Sequence, residues 1–80
     1  MTQEEIRRAI IDEILKVAPD IEEAEIEADA NLQRSLEIDS FDSLQVLTAL
    51  SEKLGVEVPE SDYGKVDTLT NMVAYFAARL

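Results

Sequence analysis

Aliphatic side chains recur three and four positions apart in three separate stretches of this chain, and that spacing constrains its fold more than any other feature. Residues so spaced share one face of a helix, so each stretch predicts an amphipathic helix with a stripe that must be buried. The first runs from Gln3 to Ala18, with Ile6, Ala9, Ile10, Ile14 and Val17 on one face and Ile11, Leu15 and Ala18 widening it. Glu4 and Glu5 fall in its first turn, where the helix dipole favours anions. Pro19 ends it, because the residue before a proline is pushed out of the α region. The second starts at Ser40 and stops near Gly55, with Phe41, Leu44, Leu47, Leu50 and Leu54 in the stripe and Val46 beside it. Gly55 suits a left-handed helix stop, and Lys53 complements the dipole at that end. The third begins about Thr68, capped by Asp67 or Thr68, and puts Leu69, Met72, Val73, Phe76 and Leu80 on one face.

Two glycines and two prolines in 80 residues supply too few turns for an all-β domain. The expected fold is an all-α, four-helix bundle over residues 1–80, three helices long and one short, with a long first loop. Its core is thin, and a chain of this length has little room for a deep enzyme cleft. The short helix or turn is placed at Glu60 to Lys65, after an extended Val56 to Pro59. Between Asp20 and Asp39 no helical period is sustained, although loops in compact domains usually run about 4–6 residues. Ile21, Ile26, Leu32 and Leu36 are spaced along this stretch as anchors into the core, with a helical turn near Glu22–Glu25.

Eighteen Asp and Glu against seven Lys and Arg give a net charge of −11. Such a surface repels nucleic acid and anionic lipid, and its expected partners are proteins with basic faces. Cysteine and histidine are both absent, which removes disulfides and thiolate metal sites. The loop acids Glu22, Glu23, Glu25, Glu27 and Asp29 lack the spacing of a calcium-binding loop, so no metal ligand is assigned. No apolar run reaches the length of a membrane span, and the acidic N-terminus does not resemble a signal peptide. A soluble, cytoplasmic monomer is expected.

Ser40 is the chemical focus. Taken locally, Ser40 is a helix N-cap, and Asp39 and Asp42 are caps or dipole partners. A serine hydroxyl is a poor nucleophile without a base, and this chain has no histidine to act as one. Ser40 therefore suits a residue modified by another enzyme better than a catalytic one.

The stretch Ile38-Asp39-Ser40-Phe41-Asp42-Ser43-Leu44 resembles the Asp-Ser-Leu region of acyl carrier proteins. The resemblance extends over the opening helix, the late loop positions Asn31-Leu32 and Leu36, the second helix, Val56-Glu57-Val58-Pro59 and the closing helix. It implies an acyl-carrier-type bundle that catalyses nothing and holds acyl groups as thioesters on a 4′-phosphopantetheine arm. The arm comes from coenzyme A through a phosphopantetheinyl transferase. Two serines compete for it: Asp42-Ser43-Leu44 matches the family tripeptide literally, while Ser40 is followed by Phe. In the family the attachment serine opens the second helix nineteen residues before a proline, and that register selects Ser40 ahead of Pro59. Ser43 would sit a turn inside the helix. A helix start also favours an anion such as a phosphodiester. The same resemblance implies that Asp39 and Asp42 dock basic faces of acyl-transferring and synthase enzymes and help the transferase. Glu37, Phe41 and Glu52 are further docking candidates, and Phe41 and Leu44 are expected to pack the start of the helix.

Three departures bear on which carrier this is. Glu37 stands where the family commonly has glycine, the glycine-rich lead-in of peptidyl carriers is missing, and Gln45 stands where fatty-acid carriers often have Glu. Fatty-acid, lipid, and specialised acyl or polyketide synthesis stay open as pathways, the last favoured by the less acidic second helix. The rival readings are a peptidyl or D-alanyl carrier and, from another class, an unmodified acidic helical module that binds a basic protein.

Overall fold

Each of the three apolar stripes becomes a helix at its expected place. The structure is a computed structural model describing residues 1–80, and it contains α1 (Gln3–Val17), α2 (Leu32–Leu36), α3 (Ser40–Leu54) and α4 (Leu69–Arg79). Two 3₁₀ turns, Glu23–Glu25 and Glu60–Lys65, complete it, and no strand is present. The expected turn near Glu22–Glu25 and the short helix at Glu60–Lys65 are thus both found, each as 3₁₀. The sequence reading missed α2. At five residues it is too short to show a repeat, and it forms because Asn31 caps it, the side-chain oxygen accepting from the Arg34 amide at 3.1 Å.

Helix α1 packs against both α3 and α4, which explains its wide apolar face. Ile6, Ile10, Ile11 and Ile14 are all essentially fully buried, joined by Leu50 of α3 and Leu69, Met72 and Phe76 of α4. Fully burying one such side chain contributes about 1.5–3 kcal/mol. A capping box starts α1: the Thr2 hydroxyl accepts from the Glu5 amide, and the Glu5 carboxylate accepts from the Thr2 amide. The second of these bonds holds the Glu5 carboxyl below its usual range.

The loop anchors act largely as expected. Ile26, Leu32 and Leu36 are buried, Ile21 is half-buried against the core, and Ile38 is a further buried anchor. Arg8 of α1 donates to both carboxylate oxygens of Glu23 at 3.1 and 2.8 Å, tying the first 3₁₀ turn to the bundle.

Three packing expectations are corrected. Phe41 and Leu44 do not pack the start of α3; they are 65% and 42% exposed, because that turn borders an open groove rather than another long helix. Leu80 lies beyond the last helical residue and is exposed. Tyr75, outside the predicted stripe, is buried, with its hydroxyl donating to Asp62 Oδ2 at 2.7 Å.

Asp62 links the second 3₁₀ turn to α4. Besides Tyr75 it faces Lys65 at 3.3 Å and Arg79 at 3.9 Å, and the Arg79 guanidinium lies 3.5 Å over the Tyr75 ring. The Tyr75 hydrogen bond, helped by Lys65 and Arg79, holds the Asp62 carboxyl below its ordinary value of 3.8. A carboxyl lowered by folding stabilises the fold above its unfolded pKa and loses that contribution as pH falls through the folded value. Asp62→Asn should therefore be less stable than wild type at neutral pH, and the two melting curves should converge as the pH drops below 3.8. A gap that persists unchanged well below that pH would contradict this assignment.

Backbone strain sits at Glu37, which ends α2 with φ 55° and ψ 38°. A residue with a Cβ pays roughly 1–2 kcal/mol in this left-handed region, a conformation that Gly55 adopts freely at the end of α3. The structure thus shows why glycine suits position 37. Glu37→Gly should raise the melting temperature by about 4–8 °C, as expected for a gain near 1 kcal/mol in a domain of this size. An unchanged or lower melting temperature would show that Glu37 makes compensating contacts in solution.

Candidate functional site

Asp39 is extended (φ −77°, ψ 172°) and is the true cap of α3, its Oδ1 accepting from the Asp42 amide at 2.8 Å and its carbonyl from the Ser43 amide at 3.0 Å. Ser40 is the first helical residue, so the expectation that Ser40 itself caps the helix is corrected. With Asp39 in that role, the Ser40 hydroxyl has no bond within the protein and is solvent-exposed. The amides of Ser40 and Phe41 likewise make no hydrogen bond within the protein. Free amides at a helix start, reinforced by the dipole, form a favourable environment for an anion.

A groove of about 700 Å³ opens at Ser40. On one side it is bounded by Ser40, Phe41, Ser43, Leu44 and Leu47 of α3, and on the other by α2 and by Tyr63, Gly64 and Val66. Sequence reasoning did not find this second wall. Leu32 and Val66 carried only a packing signal, and Tyr63 and Gly64 lie in a turn without periodicity.

The candidate residues separate into two places. Glu37, Asp39, Ser40, Phe41 and Asp42 gather around the start of α3, with Asp42 half-buried and the others exposed. Glu52 is exposed too, but it stands ten positions beyond Asp42, about 15 Å along the helix. It is not brought to the site. Ser43 lies inside the first turn and half-buried, a poorer position for a bulky modification than Ser40.

The start of α3 thus presents an exposed hydroxyl beside two free amides, with a groove leading away from it. Residues 8–76 match the family described as the phosphopantetheine attachment site. The chain is 33% identical over 72 residues to an acyl carrier protein of Campylobacter hominis, covering 90% of this chain and 85% of that protein. The chain belongs to the acyl carrier protein family. An acyl carrier protein of Lactobacillus johnsonii is 35% identical over 75 residues, covering 94% and 92% of the two chains. A meromycolate extension acyl carrier protein of Mycobacterium tuberculosis is 33% identical over 75 residues, covering 94% of this chain and 64% of that one.

The cofactor of this acyl carrier chain is covalent 4′-phosphopantetheine, and its function is to hold acyl groups as thioesters on that arm. The start of α3 fits the group, because the Ser40 hydroxyl can be esterified without breaking any bond of the fold and the neighbouring amides suit its phosphate. Proteins of the family work with transferases and synthases. No helix of this chain is long and apolar enough to cross a membrane.

Proposed function

We propose that Ser40 is the attachment residue and that residues 1–80 form one monomeric carrier domain that catalyses no step itself. The observation that carries this reading is the free Ser40 hydroxyl at the first position of α3, beside two unpartnered amides and at the mouth of the groove. In the loading step the Ser40 oxygen bonds to the phosphorus of coenzyme A nearest pantetheine. The phosphoanhydride bond breaks, the nucleotide portion leaves as the bisphosphate, and the serine proton passes to a base on the transferase. The carrier contributes an exposed hydroxyl and no base.

Around Ser40 the docking surface combines charge with a large apolar contact. Asp39, Asp42 and Glu37 present negative charge to basic partner surfaces, while Phe41 and Leu44 project from the same turn without being needed in the core. Glu52 gives the far end of α3 a second charge. Beyond Asp42, the exposed face of α3 shows Leu44, Gln45 and Thr48 before any further acid. That mixed surface favours a specialised acyl pathway whose enzymes read apolar contacts, over one that relies on an acidic rail.

Incubation with coenzyme A and a broad phosphopantetheinyl transferase, followed by intact mass, tests the assignment. One phosphopantetheine should be added to wild type and to Ser43→Ala, and none to Ser40→Ala. Loading of Ser40→Ala with loss in Ser43→Ala would transfer the role to Ser43. No loading of any form by several transferases would favour an unmodified interaction module.

A further inference from the structure

Helix α2 passes into α3 through Glu37, Ile38 and Asp39, and each of these residues is fixed in place. The backbone amides of Glu37 and Ile38 both donate to the Gln33 carbonyl, which closes the last turn of α2. Ile38 is buried, and the extended Asp39 caps α3. With both sides held, the residue between them has to be left-handed. Glu37 is the one residue with a side chain that has a positive φ in this chain, and Gly55 shows the unstrained solution at the end of α3.

Nothing within the fold offsets the strain. Glu37 is exposed, and its carboxylate takes part in no hydrogen bond or ion pair. Other acids differ from it. Asp39 commits Oδ1 to the Asp42 amide, and Asp42 is half-buried on unstrained helix. Glu52 and the acids of the first loop stand on backbone of negative φ, where solubility alone accounts for them. A strained residue held by its surroundings, with no return inside the fold, points to a contact made outside it.

Position names the partner. Three extended residues reach at most about 11 Å, so an enzyme that reaches the Ser40 hydroxyl also covers Glu37. Enzymes acting on the thioester meet the far end of the arm, whereas the transferase has to bring its reacting groups to the Ser40 oxygen itself. A free carboxylate at that border is complementary to a Lys or Arg of the transferase.

We infer that Glu37 is a specificity-determining residue for loading: its carboxylate pairs with a basic side chain of the transferase beside Ser40, and so selects transferases that carry a cation there. The inference rests on attachment at Ser40, and it gives Glu37 a single partner in place of a general docking charge.

The test takes the transferase that loads wild type fastest among several. It follows loading from coenzyme A in wild type, Glu37→Gln, Glu37→Lys and Glu37→Gly, alongside thermal denaturation. Gln and Lys keep the strain and change the charge, whereas Gly removes both. At low salt the KM for the carrier should rise about 5-fold in Glu37→Gln and Glu37→Gly, and further in Glu37→Lys, with kcat unchanged. High salt should erase these differences. Melting should follow another order, with Glu37→Gln close to wild type and Glu37→Gly above it. A wild-type KM in Glu37→Gln would overturn the inference, as would a KM in Glu37→Gly unlike that of Glu37→Gln, which would make the turn's shape the cause. Either variant melting well below wild type would overturn it too, since the carboxylate would then serve the fold. Loading of wild type but not of Ser40→Ala keeps the attachment reading intact in all three cases. No loading of wild type by any transferase would overturn that reading and this inference with it.

Discussion

Phe41→Ala should be loaded by the transferase about 30-fold more slowly at limiting carrier, yet melt within about 4 °C of wild type. The separation of the two effects follows from where the ring sits. Phe41 immediately follows Ser40, the proposed attachment residue, and is 65% exposed, so the fold gains little from it. A partner that must bring its reacting groups to Ser40 meets this ring first. Aromatic anchors at the centre of an interface commonly lose about 2 kcal/mol or more on truncation, which corresponds to the 30-fold change. Leu44→Ala, one turn further along and 42% exposed, should show a smaller loss in the same assay. A Phe41→Ala protein loaded at the wild-type rate would show that the acids alone guide docking. A melting temperature lowered well beyond that range would show that Phe41 packs in solution.

The opposite pairing is expected at Phe76. Its ring is completely buried and meets Tyr75 edge-on, with centroids 5.7 Å apart and planes at 83°. Truncating such a residue costs about 3–5 kcal/mol through lost burial and the cavity left behind. A domain of 80 residues has roughly 4–12 kcal/mol in total, so Phe76→Ala removes a large share. Its melting temperature should fall by more than about 12 °C. The loss should reach the site too, because α4 holds the second 3₁₀ turn through Tyr75 and Asp62, and that turn forms one wall of the groove. Thermal denaturation measures the first effect, and amide exchange at Tyr63 and Gly64 the second. A fall of only a few degrees would mean that the α1–α4 contact is not the principal support of the fold.

What was legible in the sequence follows from length and period. Helices α1, α3 and α4 run for eleven to fifteen residues, long enough for a three-and-four repeat to declare itself. Helix α2 covers five, so only its two buried leucines left a trace, and they read as loop anchors. The stripe on α3 was over-read at its start. Phe41 and Leu44 keep the helical spacing but face a groove, and spacing alone reports a shared face without saying what covers it. Asp39 and Ser40 both read as caps in the sequence, and only the backbone shows that Asp39 is the extended one. That single residue matters, since capping by Asp39 is what leaves the Ser40 hydroxyl free. The strain at Glu37 was visible only as a departure from a family habit until the positive φ gave it a cause.

Attachment at Ser40 is tested most directly by fragmenting the wild-type protein after loading with coenzyme A and reading which backbone fragments carry the added mass. N-terminal fragments that end between Ser40 and Ser43 should carry the whole phosphopantetheine, and those that end before Ser40 should carry none. The mass appearing only in fragments that include Ser43 would contradict the account.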